Sequence, residues 1–257
     1  MNVPPNWKIK EKSQSPYDAV QCTCVAPSGK IQYMYHPLWV LLRDLVKFKR
    51  ILRFCVKLKA FKPNKTQLSG IIYLMINTCI RTGGGSGDDD HRGMMSLLRG
   101  NAVRKGSGVH LKFVGKSGIR HCIHVKDRRS REFLKSLLSK PGKNTDKLFT
   151  ESASTLNAYV KKTFGNDFTC KDIRTCQANI RMVEMLRKSS GLEPKEAITQ
   201  AREASAKLLG HSVAISKKNY VCEGIITAYT NNPKKFHSSR DTNAVLKHCL
   251  KEYLEPI

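Results

Sequence analysis

Residues 108–125 read GVHLKFVGKSGIRHCIHV. Through 108–114 and again through 119–125 apolar and polar side chains alternate, the period of a strand with one buried face. Gly115-Lys116-Ser117-Gly118 lies between them with turn composition, so the stretch is expected to form an antiparallel hairpin with Lys116 at its tip. The same tetrapeptide has the look of the tail of a phosphate-binding P-loop. That motif needs a glycine five residues before Gly115, where this chain has His110, and a helix afterwards. The nucleotide-binding reading fails on both counts, which leaves a small antiparallel sheet.

Beyond Arg128 the periodicity becomes helical, with stretches at 131–138, 147–163, 172–187, 194–209, 217–230 and 242–254. Upstream, 69–79 reads as a buried helix ending near Arg81. It is followed at 82–90 by TGGGSGDDD, expected to be a flexible acidic surface loop. Asp88, Asp89 and Asp90 together invite a divalent metal, but no outlying Glu or His stands at ligand spacing and the EF-hand pattern is absent. Over 38–60 Arg43, Lys47, Arg50, Arg53 and Lys57 recur every three or four residues, opposite Leu41, Leu45, Phe48, Leu52, Cys55 and Val56. Only Asp44 interrupts the sign of the basic face, so phosphate contacts are expected there rather than a solvated face of mixed charge. Residues 19–25 and 30–35 are β-prone runs joined by Pro27-Ser28-Gly29, a hairpin signal. The fold class is α+β: a β-hairpin segment over 1–37, then a mainly α-helical part over 38–257 holding one small antiparallel sheet.

The chain of 257 residues carries 46 Lys plus Arg against 20 Asp plus Glu, a formal net charge of +26. Self-repulsion of that size calls for a polyanionic partner, and nucleic acid leads. The longest apolar runs, near 38–42 and 71–80, reach about half the ~20 residues that span a bilayer. Met1-Asn2-Val3-Pro4-Pro5 lacks the apolar core of a signal peptide, so neither membrane insertion nor export is expected. Nine cysteines stand at 22, 24, 55, 79, 122, 170, 176, 222 and 249. Cys22-x-Cys24 and His121-Cys122-Ile123-His124 have no second half at zinc spacing. Reduced thiols are expected, with no metal and no cofactor.

Three fragments carry chemistry in sequence order: Cys79-Ile80-Arg81-Thr82-Gly83, then Cys170-Lys171-Asp172-Ile173-Arg174-Thr175, then Leu209-Gly210-His211 with Tyr220 nine positions on. With Phe113-Val114-Gly115-Lys116-Ser117-Gly118 between the first two, they resemble the active-site pattern of type IB DNA topoisomerases, and most closely the small viral and bacterial members of poxvirus and giant-virus type. Val3-Pro4-Pro5-Asn6-Trp7, the run from Gly29 to Pro37, the Arg43-Asp44 and Lys47-Phe48 pairs, and Leu97-Leu98-Arg99 are similar to family sequence too.

The resemblance implies that Tyr220 is the nucleophile toward a backbone phosphorus, that Arg81 and Arg174 hold the scissile phosphate, that His211 bonds a non-bridging oxygen, and that Lys116 is the general acid. The chemistry asks for such groups: guanidiniums and an imidazole meet charge building on phosphoryl oxygens, and an ammonium can release a proton to the departing 5′ oxygen where a guanidinium cannot. With the charge pattern, the resemblance places DNA contacts at Tyr33, Tyr35, Arg43, Lys47, Arg50, Arg53, Lys57, Arg99, Lys171 and Ser216. It also makes 1–37 the remnant of an N-terminal sheet domain that clamps DNA, and 38–257 the catalytic domain. Cys176 stands where the family has an aromatic residue. The implied activity is relaxation of supercoiled duplex DNA without ATP or metal, by a monomer with no obligatory protein partner, in an intracellular compartment that contains DNA: a virion, host-cell cytoplasm or nucleus. A tyrosine recombinase is the alternative, but its usual His-x-x-Arg box is Lys171-Asp172-Ile173-Arg174 here. A non-enzymatic DNA-coating protein would account for the charge without requiring Tyr220.

Overall fold

The computed structural model describes residues 3–83 and 91–254, so most of the expected acidic loop lies outside the described residues. The chain divides into two compact units, Met1–Lys49 and Arg50–Ile257.

In the first unit, β1 (Lys8–Lys12), β2 (Val20–Val25) and β3 (Ile31–Tyr35) form an antiparallel sheet in that order. The β2–β3 hairpin turns at Gly29, whose φ of +77° is left-handed backbone that glycine adopts without a Cβ clash. Alternation along β2 sends Cys22 and Cys24 into the buried face. β1 was not foreseen. Its sequence KIKEK is exposed throughout, so main-chain pairing from Lys8↔Val25 to Lys12↔Cys22 holds it, with no buried face to leave a pattern. The long helix α1 (Pro37–Ala60) opens on a proline, tolerated at a first helical position whose N–H has no intrahelical partner.

In the second unit α1 continues with Ile51, Phe54 and Leu58 buried, and Phe54 stacks on Phe168 with ring centroids 4.7 Å apart. α2 (Gln67–Thr78) is capped by Thr66, whose hydroxyl accepts from Ser69 N. A second antiparallel sheet orders β4 (Ala102–Lys105), β5 (Gly108–Val114) and β6 (Arg120–His124), with Val114 opposite Arg120 and Phe113 opposite His121. The expected hairpin is therefore present, widened by the short strand β4. Then come α3 (Arg128–Leu138), α4 (Ala153–Phe164), α5 (Cys170–Arg187), α6 (Pro194–Leu209), α7 (Val213–Asn219), α8 (Glu223–Asn231), α9 (Pro233–Ser238) and α10 (Thr242–Leu254). α5 runs through the core, touching α2, α4, α6, α8, α9 and α10.

Three expectations need correction. The helix over 147–163 starts only at Ala153, because Ser152 caps it and Leu148 N instead donates to Leu97 O at 2.8 Å. The helix over 217–230 is two helices, α7 and α8, broken at Tyr220-Val221-Cys222. And the thiols are not all reduced: Cys55 of α1 and Cys176 of α5, with Cα atoms 5.8 Å apart, form a disulfide, while the other seven cysteines are thiols. Sequence spacing could not reveal that pair, since the two half-cystines are 121 residues apart and meet only when α1 packs on α5. Among the described residues no helix is long and apolar enough to cross a membrane.

Candidate active site

Three turns and the start of α5 converge on one cavity, and the break after α7 packs beside it. α2 ends at Cys79 in left-handed backbone (φ 54°), which redirects the chain to Arg81. Arg81 O accepts from Met94 N at 2.7 Å and Thr82 O from Met95 N at 2.8 Å, fixing that strand of chain. Arg174 lies in the first turns of α5. α6 ends at Gly210 in left-handed backbone (φ 63°), and His211 follows directly. Tyr220 is the C-cap of α7. Lys116 sits exposed in the turn between β5 and β6, lining the same cavity as Arg81, Arg92, His121, Arg174 and Gly210. No carboxylate is among the described lining residues, and Arg81, Arg92, Lys116 and Arg174 gather positive charge there.

Arg81, Arg174, His211 and Tyr220 are brought into direct contact. Arg81 Nη2 lies 2.9 Å from His211 Nδ1 and 3.1 Å from Nε2, and Arg174 Nη2 lies 2.9 Å from Nε2. Arg174, 3% exposed, also donates to Cys79 O and, at 2.8 Å, to Leu209 O, and its Nε has no partner among the described residues. The guanidinium is thus tied to the ends of α2 and α6 while keeping a donor for an anionic oxygen. The His211 ring stacks on Tyr220 at 5.1 Å, and the Arg174 guanidinium stands 5.7 Å from the Tyr220 ring centre. Burial first, then the Arg81 and Arg174 guanidiniums and His121, push His211 down to about 4, so its imidazole is neutral at physiological pH. Burial, then Arg174 and Arg81, lowers His121 as well. Burial lowers Arg174 from its ordinary value and Tyr220 opposes that shift; a guanidinium starts so high that it stays charged.

Asn179, which the sequence did not single out, holds the helix break where Tyr220 sits. Fully buried on α5, it donates from Nδ2 to Tyr220 O at 2.8 Å and accepts from Cys222 N at 2.8 Å, replacing helical bonds lost at the break. A mid-helix asparagine carries no local signal of such a role. Tyr220 is only 8% exposed, and neither it nor His211 lines the cavity.

The expected DNA contacts divide. Tyr33 and Tyr35 are exposed on β3, and Arg43 stands 5.2 Å over the Tyr35 ring. Lys47 pairs with Asp44 at 3.0 Å. Arg50 is a half-buried strut: Nη2 donates to the buried Asp172 at 2.6 Å and Nη1 to Asp167 O at 2.8 Å. Arg53 lies 3.6 Å from Asp167, both well exposed, and Lys57 donates to Phe164 O at the end of α4. Arg99 closes the end of α3 by donating to Leu137 O, Leu138 O and Lys140 O. Lys171 is exposed 6.0 Å from the Tyr220 ring, and Ser216 is buried, its Oγ without a partner.

The family model of the eukaryotic DNA topoisomerase I catalytic core matches residues 43–244. The chain is 25% identical over 291 aligned residues to "DNA topoisomerase 1B" of Acanthamoeba polyphaga mimivirus, covering all of this chain and 87% of that protein. It is 27% identical over 161 residues to "DNA topoisomerase 1" of Rabbit fibroma virus (strain Kasza), covering 60% of this chain and 50% of the relative.

Proposed function

The chain belongs to the DNA topoisomerase I catalytic-core family, as an enzyme of type IB acting on DNA, and from that premise we propose that it relaxes supercoiled duplex by transient cleavage of one strand through Tyr220. The observation that carries this reading is the contact of Arg81 and Arg174 with His211 and of His211 with Tyr220. An entering phosphodiester offers the two guanidiniums better acceptors than a neutral imidazole. Once they turn to the phosphate oxygens, His211 is released to donate its N–H to a non-bridging oxygen. The phenol of Tyr220 then attacks phosphorus, passing its proton to water, while Lys116 protonates the departing 5′ oxygen, leaving a 3′-phosphotyrosyl bond. Attack by the free 5′ hydroxyl, with its proton returned to Lys116, breaks the bond to Tyr220, whose oxygen takes a proton back from water, and reseals the strand. Bond energy is kept in the protein linkage, so neither ATP nor metal is needed. Residues 38–257 carry this chemistry, and the strands before α1 form part of the grip on DNA.

Relaxation of a negatively supercoiled plasmid in EDTA without ATP tests the reading. Full relaxation by the parent and none by Tyr220→Phe is the expected result; a requirement for ATP or magnesium would overturn the cofactor-free cycle.

A further inference from the structure

His121 has no part in the cycle above, yet it occupies a distinctive place. It faces Phe113 across β5–β6, and the two rings stack at 4.7 Å. Its imidazole fills the space over two glycines, each preceding a residue of the site. A methyl built on Gly115, just before Lys116, would lie 2.6 Å from His121 Nε2, and one on Gly210, just before His211, would overlap Cε1. Gly115 has ordinary extended backbone (φ −93°, ψ −176°), so its dihedrals do not require glycine; the room taken by the ring does.

We infer that His121 is a positioning residue for strand cleavage: its ring is the spacer that seats the Lys116 turn against the Gly210-His211 turn. This rests on the reading of Lys116 as the general acid. Of the two turns, the second is already pinned, by His211 N to Ala206 O at 3.0 Å and Arg174 Nη2 to Leu209 O at 2.8 Å. The first is a tip whose three residues, Lys116 to Gly118, are all exposed; it is closed by Gly115 N to Ile119 O at 2.7 Å and tied at its far end by Gly118 N to His91 Nε2 at 3.1 Å, while the His121 ring supports the end that carries Gly115 and Lys116. Loss of the ring therefore loosens the acid and leaves the phosphate-binding groups in place. A displacement of about 1 Å at a reacting group is enough for roughly a hundredfold loss of rate.

Single-turnover cleavage is measured on an ordinary phosphodiester and on a 5′-bridging phosphorothiolate, whose thiolate leaves without protonation. His121→Ala is expected to be slowed about a hundredfold on the first and to recover most of its rate on the second, a recovery that a misfolded protein could not show. Gly115→Ala, whose methyl must push the ring away, is expected to behave alike, and the double variant to be no slower than His121→Ala alone, because both changes remove one contact. Equal slowing of His121→Ala on both substrates, or additive losses in the double variant, would overturn the inference. Lys116→Ala in the same assay reports separately on the acid: failure of that variant to recover on the phosphorothiolate is failure of the Lys116 assignment itself.

Discussion

His211 joins the electrostatics of the site to stability. Its folded value of about 4 lies below the ordinary histidine value of 6.5, so between those limits the unfolded chain binds a proton that the folded chain refuses. Stability is therefore complete above pH 6.5 and declines as pH falls toward 4. His211→Asn removes that linkage. Denaturation midpoints at pH 7.5 and pH 5 should differ less for His211→Asn than for the parent, and an unchanged difference would show that burial and the Arg81 and Arg174 guanidiniums do not hold the ring neutral. His121 and His110, both lowered, add a common background to the two proteins. Asn179 acts through geometry instead. Asn179→Ala would remove the bonds to Tyr220 O and Cys222 N, which costs on the order of 2 kcal/mol. Urea denaturation should show that loss together with slower cleavage, since the break that presents Tyr220 loses its clamp; a variant of parental stability would remove Asn179 from the account.

Helix α1 shows how far reading along one element goes. Its length, its basic stripe and the buried positions Phe48 and Cys55 were legible, but the partners of the stripe were not. Counting signs along the helix finds only Asp44, whereas Asp172 and Asp167 arrive from α5 and the turn before it. Asp172 is buried, accepts from Thr169 N and Oγ1 at the start of α5, and takes Arg50 on its other oxygen. Arg50→Gln strips that carboxylate of its cation and should cost about 3 kcal/mol, read as a fall in denaturation midpoint, whereas Arg53→Gln should leave stability nearly unchanged. Equal stability of the two variants would return Arg50 to the surface stripe. The β5–β6 hairpin, α6 and α10 followed from local period and turn chemistry. β1 and the start of α4 did not, one because it buries nothing and the other because a Ser152 cap overrides helical periodicity upstream. The five expected site residues stand out only as a set in order, for each alone has an ordinary structural reading; Asn179 carries no local signal and His121 only that of a metal-like fragment, because what each touches is decided by packing. The Cys55–Cys176 disulfide is likewise tertiary. It closes a loop of 121 residues between α1 and α5, so reduction should cost roughly 2–4 kcal/mol, measured as a drop in melting temperature with reductant that Cys55→Ser abolishes.

Across the whole molecule, a net charge of +26 makes duplex binding steeply salt-dependent, with log affinity falling by roughly 0.9 per phosphate neutralised for each unit of log salt. Arg53→Gln should flatten that slope by about one unit for all sequences alike, since a phosphate contact carries no base information; filter binding with Tyr220→Phe protein across a salt series reads it without covalent complexes. The account stands or falls, however, on where the DNA becomes attached. A duplex nicked just downstream of the cleavage site releases its short 5′-hydroxyl strand after attack and traps the covalent complex. Denaturation, proteolysis and mass spectrometry then locate the nucleotide on the protein. The predicted result is a 3′-phosphate on Tyr220, with no adduct for Tyr220→Phe although it still binds DNA; an adduct on any other residue, or one that survives Tyr220→Phe, would contradict the account.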